Sequence, residues 1–347
     1  MLKKKVIYFI KVKPKFLKKW EVYTADYDML KECYQEVLLT NNYLKFLLYL
    51  IKNPNSDIYT WWWNSSTPII ILGKLFRRRT FCTGAEHMTD FSSKDHFFQK
   101  SIIYKICTKL SLRLSSFNIF ISKDQKLSIS SQIYVNNPYL IYSSLTKKKS
   151  ATYGDINDFG KYLKNDQFNF LFIGWLTKEC IIRKSTLITL RALSNLIKNT
   201  NYKINFNICG LKGSGLEIIQ DHIIKLNLQN EVKVNLNLNE AEKKFFYQSS
   251  DLLLTPSFME GFGNASLEAM ANGCPSLVSK YGASPEVVGD TGYIIFDINE
   301  KSIEEKLLEY MNLTLGERIE KRKKAYERSF LKFGLNQKVD EFKKLLN

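Results

Sequence analysis

Short apolar segments and longer amphipathic segments alternate along the whole chain. The short segments are rich in Ile, Leu, Phe and Tyr, and each has the length of a single strand. Between them, apolar residues recur at the three- and four-residue spacing of a helix with one buried face. This alternation is typical of βαβ units and predicts parallel sheets with helices packed on them. The predicted strands lie at 6–10, 36–39, 57–63, 80–83, 118–122 and 133–135, and at 168–174, 204–209, 232–234, 251–255 and 274–279.

The predicted helices fall into two halves separated by a polar segment. Residues 143–166 are rich in turn-forming residues, and the 347-residue chain is long enough for each half to bury its own core. The sequence predicts a domain at 1–150, a linker at 151–166, a domain at 167–325 and a terminal helical segment at 326–347. The predicted helices lie at 21–33, 42–52, 68–76 and 100–114, and at 185–197, 240–249, 265–272, 302–313, 317–330 and 336–346.

A glycine-containing turn joins the predicted strand at 251–255 to the predicted helix at 265–272. Asn264 is predicted to be the N-cap of this helix, and Gly273 is predicted to be its C′ residue. Backbone N–H groups and the positive end of the helix dipole point out of such a turn, and glycines let a ligand approach the backbone. The turn is therefore a candidate site for an anionic group such as a phosphate.

Two carboxylates flank this candidate site. Glu260 lies in the turn, and Glu268 lies one turn inside the helix. A carboxylate repels a phosphate, so both side chains are better suited to accept hydrogen bonds from sugar hydroxyls on either side of a diphosphate. That arrangement describes a nucleotide sugar. The alternative is an ordinary loop, with Glu260 solvated and Glu268 on the exposed face of an amphipathic helix.

The residues around the turn also resemble a known signature. PSFMEGFGNASLEAMANGCPSLVS (256–279) and GASPEVVGDTGYIIF (282–296) are similar to the nucleotide-binding signature of retaining glycosyltransferases of the glycosyl transferases group 1 kind (family four, GT-B fold). That signature has two glutamates with seven residues between them, as Glu260 and Glu268 stand here. The resemblance implies an α/β fold of the GT-B type, with two Rossmann-like, doubly wound parallel-sheet domains facing an interdomain cleft. It also implies a terminal helix that crosses back to the first domain.

The resemblance implies a reaction as well as a fold. The expected enzyme moves a hexose-type sugar from a nucleoside-diphosphate sugar to a glycan or lipid-linked acceptor, retains the anomeric configuration, and uses neither a metal ion nor a cofactor. Synthesis of cell-surface polysaccharide or lipopolysaccharide is the expected setting. In this interpretation Glu260 holds hydroxyls of the transferred sugar and Glu268 fixes the ribose.

The same family contacts the diphosphate of the donor with two cations. Its members usually carry an arginine directly after the glycine that ends the first strand of the second domain, and a lysine several residues later. Here Trp175 follows Gly174, while Arg183 and Lys184 precede the next helix. The resemblance makes Lys184 the diphosphate lysine and Arg183 a substitute for the arginine; a solvated basic pair is the alternative. The further residues predicted to contact the donor are Gly174, Gly210, Gly261, Phe262, Gly263, Asn264 and Ala265.

His87 follows the predicted strand at 80–83, in a loop at the carboxyl end of a parallel sheet, where ligands of such sheets bind. The resemblance matches it to a histidine or aspartate that many family members place near the reacting sugar. It is predicted to be catalytic together with Glu260 and Lys184. Glu86 and Asp90 are alternatives for this role, and a purely structural histidine is the other interpretation.

Two apolar features of the first half have more than one interpretation. The adjacent tryptophans at 61–63 cannot all face one side of a strand. Either both faces of the sheet are covered, or one ring lines a site where sugars stack. The helix at 42–52 is apolar at helical spacing, which favours a core-facing helix over a helix on a membrane surface.

The formal net charge of +17 indicates an anionic partner, or else a lysine-rich composition that simply covers the surface. Basic segments at 3–19 and 77–79 suggest an anionic acceptor or peripheral contact with an anionic membrane. Nucleic acid is not an expected partner, because charge alone supports it and no motif does. No stretch approaches the roughly 18 apolar residues of a membrane span. The expected location is therefore the cytoplasm, with peripheral contact at the inner face of the membrane.

Two absences in the sequence also affect the interpretation. The six cysteines show no paired spacing, so they are expected to be reduced, and no metal site is predicted. The segment after the first predicted strand contains no glycine, although many GT-B proteins have a glycine-rich loop there. This difference, together with Trp175, leaves a second function open: a catalytically silent GT-B protein that acts as a sugar-binding or scaffold partner.

Overall fold

The computed structural model describes residues 3–12, 21–86, 97–153, 156 and 158–347 of the chain. They form two compact units. The first unit comprises Met1–Ser150 together with Phe333–Asn347, and the second comprises Ala151–Lys332. Each unit is built on its own six-stranded parallel sheet.

The first sheet contains the strands β1 (Lys3–Phe9), β2 (Tyr34–Thr40), β3 (Asp57–Trp61), β4 (Thr80–Thr83), β5 (Phe117–Phe120) and β6 (Pro138–Leu140). Their order across the sheet is β2-β1-β3-β4-β5-β6, and all neighbours are parallel. The helices of this part of the chain are α1 (Glu21–Cys33), α2 (Tyr43–Lys52), α3 (Trp63–Leu75), α4 (Ile102–Leu114), α5 (Lys123–Ser130) and α6 (Lys147–Tyr153).

The second sheet contains β7 (Gln167–Trp175), β8 (Lys203–Leu211), β9 (Val232–Leu236), β10 (Leu252–Thr255), β11 (Ser276–Ser279) and β12 (Tyr293–Ile295). Their order is β12-β11-β10-β7-β8-β9, and all neighbours are parallel. The helices that follow are α7 (Lys178–Arg183), α8 (Thr186–Asn199), α9 (Leu216–Lys225), α10 (Glu240–Ser249), α11 (Asn264–Ala271), α12 (Ser284–Val288), α13 (Glu300–Met311), α14 (Leu315–Phe333) and α15 (Leu335–Lys344).

Successive residues of the first sheet point into two separate cores. Tyr8 and Tyr59 belong to a core that includes residues of α1. Ile7 and Ile58 belong to a core on the opposite face that includes residues of α2 and α3. Strands that are covered on both faces are apolar at nearly every position, which is why the sequence shows them as continuous apolar runs. The predicted doubly wound parallel sheets are thus confirmed.

The terminal helix α15 belongs to the core of the first unit. Val339 and Phe342 are buried in the same apolar cluster as Tyr59. Lys338 forms a buried ion pair with Asp26 of α1, and the Tyr59 hydroxyl donates a hydrogen bond of 2.8 Å to the same carboxylate. Apolar packing and a buried ion pair therefore both hold α15 in place.

The helix predicted at 68–76 begins five residues earlier, at Trp63. β3 ends at Trp61, and Trp62 turns the chain with a positive φ of 73°. Pro68 therefore lies inside α3 and cannot donate a hydrogen bond to the Asn64 carbonyl. The proline was therefore a misleading signal for the start of this helix.

One other prediction for the first half is wrong. Residues 133–135 do not form a strand; Ile133 is buried in an apolar cluster from a loop, and the last strand is β6. The polar, turn-rich segment at 143–166 also contains the helix α6. Its start has a local cause, because the Thr146 hydroxyl accepts a hydrogen bond from the Lys149 N–H at 3.2 Å, as an N-cap residue does.

Candidate functional site

The turn between β10 and α11 is shaped by a glycine in the left-handed region. Gly263 has φ 97° and ψ 45° and caps the helix, which begins at Asn264. A Cβ at this position would lie 3.0 Å from Ser284 Oγ. The N-cap prediction for Asn264 is therefore wrong, because the capping position needs a positive φ that glycine adopts without strain.

The other end of α11 closes in a Schellman motif. Gly273 has φ 69°, and its N–H donates to the Met270 carbonyl at 2.8 Å. The N–H of Cys274 donates to the Ala269 carbonyl, also at 2.8 Å. The prediction of Gly273 as the C′ residue is confirmed. Both ends of this short helix are thus fixed by glycines, which sets the position of its amino end after β10.

The side chain of Glu260 lies in the loop that leads into α11 and accepts three hydrogen bonds at one oxygen. Its Oε1 is 2.8 Å from Arg183 Nη1 and 3.0 Å from Lys184 Nζ. The Ser257 hydroxyl donates to the same oxygen at 3.1 Å. The structure therefore brings together the predicted catalytic glutamate and both cations predicted to contact the diphosphate.

These contacts shift the pKa values of Glu260 and Arg183. Burial raises the pKa of Glu260, but the charges of Lys184 and Arg183 outweigh this effect and lower its pKa to about 2. Burial lowers the pKa of Arg183, and the Glu260 carboxylate raises it further than burial lowers it. At neutral pH the cluster is thus a buried carboxylate shared by two cations, with a net positive charge.

Lys184 is positioned by the junction of two helices. It is the C-cap residue of α7, and Ser185, with φ 53°, starts α8 directly after it. Its side chain is buried and donates a hydrogen bond of 3.2 Å to Thr255 Oγ1 at the end of β10. Gly174 lies beside it, and a Cβ there would be 3.4 Å from Lys184 Cδ. The predicted basic pair is therefore not a solvated one.

Gly174 and Gly210 are paired in register between β7 and β8. A Cβ at Gly210 would lie 2.0 Å from the Gly174 carbonyl oxygen, which is closer than any real contact. Close approach of the two strands therefore requires glycine at position 210, whatever ligand binds there. The predicted contact of these two glycines with the donor stays a prediction.

Glu268 is half-buried on α11 and is held by a neighbouring helix. The Tyr247 hydroxyl of α10 donates to Glu268 Oε2 at 3.3 Å. Asn272 donates to the Glu268 carbonyl at 2.8 Å, which adds to the fixed end of the helix. The carboxylate is neither packed away in the core nor fully solvated, and its predicted contact with a ribose stays a prediction.

The other predicted residues of the turn differ in exposure. Asn264 is exposed, Gly261 and Ala265 are half-buried, and the Phe262 side chain is buried with 2% exposure. Phe262 can therefore offer a ligand its backbone, while its ring fills the core. Trp175, which occupies the place of the family's arginine, is 53% exposed.

The predicted catalytic His87 lies outside the described residues, as does Asp90. Their neighbour Glu86 is described and follows β4. Its Oε2 is buried, and burial raises the pKa of the carboxyl group to about 7, partly offset by hydrogen bonds from its own backbone and from Tyr104. The Tyr104 hydroxyl is 3.5 Å from Oε1. Glu86 is thus a carboxyl group that can exchange a proton near neutral pH.

The structure adds residues to the site that the sequence prediction missed. A Cβ at Gly282 would lie 2.5 Å from the Glu260 carbonyl oxygen and 2.7 Å from its nitrogen, and the Ala283 N–H donates to that carbonyl at 2.9 Å. These residues, with Ser257 and Tyr247, hold the two glutamates. Gly282 and Ala283 begin the second signature segment, which was the available signal; nothing in the sequence distinguished Tyr247.

The family assignment comes from comparison with known sequences. The family described as Glycosyl transferases group 1 matches residues 155–330, which is about half of the chain and contains every site residue of the second unit. The protein therefore belongs to the glycosyl transferases group 1 family.

Individual relatives agree with this assignment. The chain is 25% identical over 219 residues to the O-antigen chain mannosyltransferase RfbU of Salmonella typhimurium, covering 61% of this chain and 55% of that protein. It is 29% identical over 126 residues to an uncharacterised glycosyltransferase of Methanocaldococcus jannaschii, covering 36% of this chain and 30% of that protein. The match thus spans less than two thirds of the length of each of these relatives.

A solved structure with the same fold is that of Anabaena HepE in complex with UDP. Its TM-score is 0.74 at 16% sequence identity, and the match covers 99% of both chains. At this identity the likeness shows the fold alone. The fold is GT-B, and the fold prediction is confirmed.

Proposed function

We propose that the protein is a glycosyltransferase that moves a sugar from a nucleoside-diphosphate sugar to a glycan or lipid-linked acceptor. The observation that carries this proposal is the convergence of Arg183 and Lys184 on Glu260, in the loop that leads into α11. Two cations next to the start of a helix suit a diphosphate, because both the side chains and the helix dipole attract negative charge.

The proposed binding mode shares the two cations between a carboxylate and the donor. Lys184 and Arg183 contact the diphosphate and stabilise the charge that develops on it as the sugar leaves, a role that a metal ion fills in other enzymes. Glu260 holds the transferred sugar in line with the acceptor, and Glu268 binds the ribose. Gly174, Gly210 and the backbone of 261–265 complete the donor site. Retention of the anomeric configuration and independence of metal ions belong to the same proposal.

The acceptor is proposed by similarity to the relatives. The Salmonella relative is named for transfer to an O-antigen chain. We therefore place this protein in the synthesis of a cell-surface glycan, at the cytoplasmic side of the membrane. His87, or its neighbour Glu86, is proposed to assist at the reacting sugar. For Glu86 the supporting observation is a pKa near neutrality at the carboxyl end of β4.

A thermal-shift panel of UDP-, GDP-, ADP- and CMP-sugars tests the donor. We expect one nucleotide series to raise the melting temperature, and the effect to persist in EDTA. NMR of the product formed from the stabilising donor then reports the configuration at the anomeric carbon. Stabilisation that disappears in EDTA, or a product of inverted configuration, would contradict the metal-free retaining reaction.

A second candidate function is a catalytically silent GT-B protein that binds sugars or serves as a scaffold. The exposed Trp175 at the usual place of an arginine favours it, because an indole cannot stabilise a leaving diphosphate. Hydrolysis distinguishes the two functions. An active enzyme slowly hydrolyses its bound donor when no acceptor is present, and so releases free sugar. A silent protein releases no free sugar, whether or not it binds the donor.

A further inference from the structure

Exposed apolar side chains are concentrated on one layer of helices in the first unit. Among the described residues, 24 large apolar side chains are exposed, and eleven of them lie in the segments 42–52, 63–79 and 97–114. These segments make up less than a seventh of the chain. Single exposed apolar residues are ordinary, but a concentration of them marks an interaction surface. The eleven are Leu44, Leu48, Ile51, Ile71, Leu75, Phe76, Phe98, Ile102, Ile103, Ile106 and Leu110.

The three segments form one continuous layer. Buried residues of α2 and α3 share one apolar cluster, and buried residues of α3 and α4 share another, both on the same face of the first sheet. The Tyr43 hydroxyl of α2 donates to the Ser65 carbonyl of α3 at 3.2 Å. The Thr67 hydroxyl of α3 donates to the Cys107 carbonyl of α4 at 2.9 Å. The exposed apolar side chains therefore lie on the side of this layer that faces away from the sheet, here called the α2–α4 face.

The charge of the α2–α4 face has a single sign. Residues 42–52, 63–79 and 97–114 contain no aspartate or glutamate. Their exposed cations lie between or beside the apolar residues. A surface that carries aliphatic side chains and cations but no acidic groups is complementary to an anionic bilayer. The aliphatic side chains can enter its apolar interior, and the cations can contact its anionic headgroups. The exposed cations are Lys45, Lys52, Lys74, Arg77, Lys109 and Arg113.

A groove at the carboxyl end of α4 continues this pattern. It has a volume of about 570 Å³ and carries two cations one helical turn apart, Lys109 and Arg113. Its other lining residues, Gln132, Ile133 and Tyr134, are polar or apolar and none is acidic. Such a groove suits the phosphate of a lipid headgroup, because both cations can contact one phosphate group.

We propose that the α2–α4 face docks the protein on a bilayer that contains anionic phospholipids. Its aliphatic side chains enter the boundary between headgroups and acyl chains, and its lysines and arginines contact the lipid phosphates. Within the described part of the chain no helix combines the length and the apolar character of a bilayer span, so this contact is with the surface of the membrane. The proposal goes beyond the donor chemistry and does not depend on it.

Other occupants of the face fit these observations less well. A second copy of this chain, related by two-fold symmetry, would set the same cations against each other. A nucleic acid would match the charge, but single strands stack on aromatic rings and contact few aliphatic side chains. Nine of the eleven exposed apolar residues are aliphatic, and only Phe76 and Phe98 are aromatic.

Co-sedimentation with vesicles tests the proposal. The full chain is mixed with vesicles of phosphatidylcholine alone, or of phosphatidylcholine with phosphatidylglycerol, at low and high salt. We expect sedimentation with the anionic vesicles at low salt and a large loss at high salt. Equal binding to both kinds of vesicle, or binding to neither, would overturn the proposal.

A variant of the apolar residues and a matched control locate the surface. Leu44→Gln/Leu48→Gln/Ile51→Gln removes the exposed stripe of α2, and Ile224→Gln/Phe296→Gln/Leu331→Gln removes three equally exposed residues of the second unit. We expect the first to lose at least about ten-fold in vesicle partitioning and the second to lose none. Equal loss in both would refute the assignment to this face.

The charge contribution is tested in the same way. Each cation near an anionic bilayer contributes about five-fold to partitioning, so Lys109→Gln/Arg113→Gln should weaken it by about 25-fold. Lys198→Gln/Lys225→Gln, which removes two exposed lysines of the second unit, should leave it unchanged.

Light scattering without lipid is the final control. A dimer that the α2 substitutions dissociate would identify a second copy as the occupant and refute docking on lipid. Donor binding, measured by thermal shift on the same samples, can succeed or fail independently, so failure of this proposal and of the proposed reaction are distinguishable.

Discussion

At the scale of single residues, the cluster of Glu260, Lys184 and Arg183 combines two requirements in one place. In the donor-free protein Glu260 neutralises part of the charge of two largely buried cations. In the proposed reaction the same cations must attract a diphosphate. Removing any one of the three charges therefore affects both stability and chemistry, and a test has to separate the two effects.

Lys184→Ala and Glu260→Gln should each reduce sugar transfer by at least about 100-fold, because the first removes positive charge from the leaving group and the second loosens the hold on the sugar. Lys184→Ala leaves Glu260 with a single cation, and Glu260→Gln leaves Arg183 and Lys184 without a counter-charge, so each substitution should also lower stability. The double variant Lys184→Met/Glu260→Gln removes one of the two cations that Glu260→Gln leaves without a counter-charge, so its melting temperature should lie above that of Glu260→Gln while transfer stays lost. The exposed Lys178 of α7 provides the control, and Lys178→Ala should transfer normally. Near-normal turnover in either single variant would contradict the assigned roles.

Glu260 should also make stability depend on pH. Its pKa in the folded protein is lowered to about 2 from an ordinary value of 4.5. The stabilisation is therefore fully present above about pH 5 and is lost as the pH falls towards 2, and it amounts to about 3 kcal/mol. Denaturant unfolding of the wild type and of Glu260→Gln should show a difference in unfolding free energy that shrinks over this range. If the difference in unfolding free energy between the two proteins were the same at pH 3 as at neutral pH, the Glu260 carboxylate would not be ion-paired in the folded protein.

At the scale of secondary structure, α11 depends on the residue that caps it. Gly263→Ala would place a side chain at φ 97° with its Cβ 3.0 Å from Ser284 Oγ. We expect a loss of about 1–2 kcal/mol in unfolding free energy and weaker donor binding, because the start of α11 must shift. Gly316→Ala is the matched control, since a Cβ there has nothing within 4 Å and lies in helix α14. It should leave stability unchanged or raise it by up to about 1 kcal/mol. Comparable losses in both variants would contradict a special role for the cap.

The bounds of an element could be predicted where its apolar pattern and its end signals agree. The bounds of α1, β4 and α10 are those predicted, because their apolar periodicity and end signals agree. The start of α3 was missed because Trp62 adopts a positive φ that no local signal for a bulky residue predicts. Of the apolar run at 133–135, Ile133 is buried from a loop while Tyr134 is exposed, and an apolar run alone does not distinguish that arrangement from a strand.

The candidate site, too, was predictable from the sequence only in part. The signature segments predicted Glu260, Glu268 and the glycines, since a motif fixes residues that are close in sequence. The contact of Glu260 with Lys184 joins residues far apart in the chain, and only the resemblance to a family pointed to that lysine. The Tyr247 hydroxyl that holds Glu268 depends on the packing of α10 beside α11, which the sequence pattern does not specify.

At the scale of the whole molecule, each unit has its own sheet and its own apolar core, and the first unit is completed by a distant part of the chain. The last helix, α15, contributes Phe342, whose ring lies 5.1 Å from that of Phe81 and 5.8 Å from that of Tyr59, measured between centroids. The stability of the first unit should therefore depend on residues that follow the whole of the second unit in sequence.

Phe342→Ala should destabilise the first unit selectively. The side chain is fully buried, so its loss leaves a cavity worth about 3–5 kcal/mol. Two units with separate cores are expected to unfold in two calorimetric transitions, and only one should move to lower temperature in the variant. Nucleotide-sugar binding identifies the other transition, because a donor bound by the second unit raises the melting temperature of that unit alone. Phe296→Ala, at a side chain that is 69% exposed, is the control and should move neither transition. If Phe342→Ala moved the donor-sensitive transition instead, α15 would be stabilising the second unit, and its place in the core of the first would be wrong.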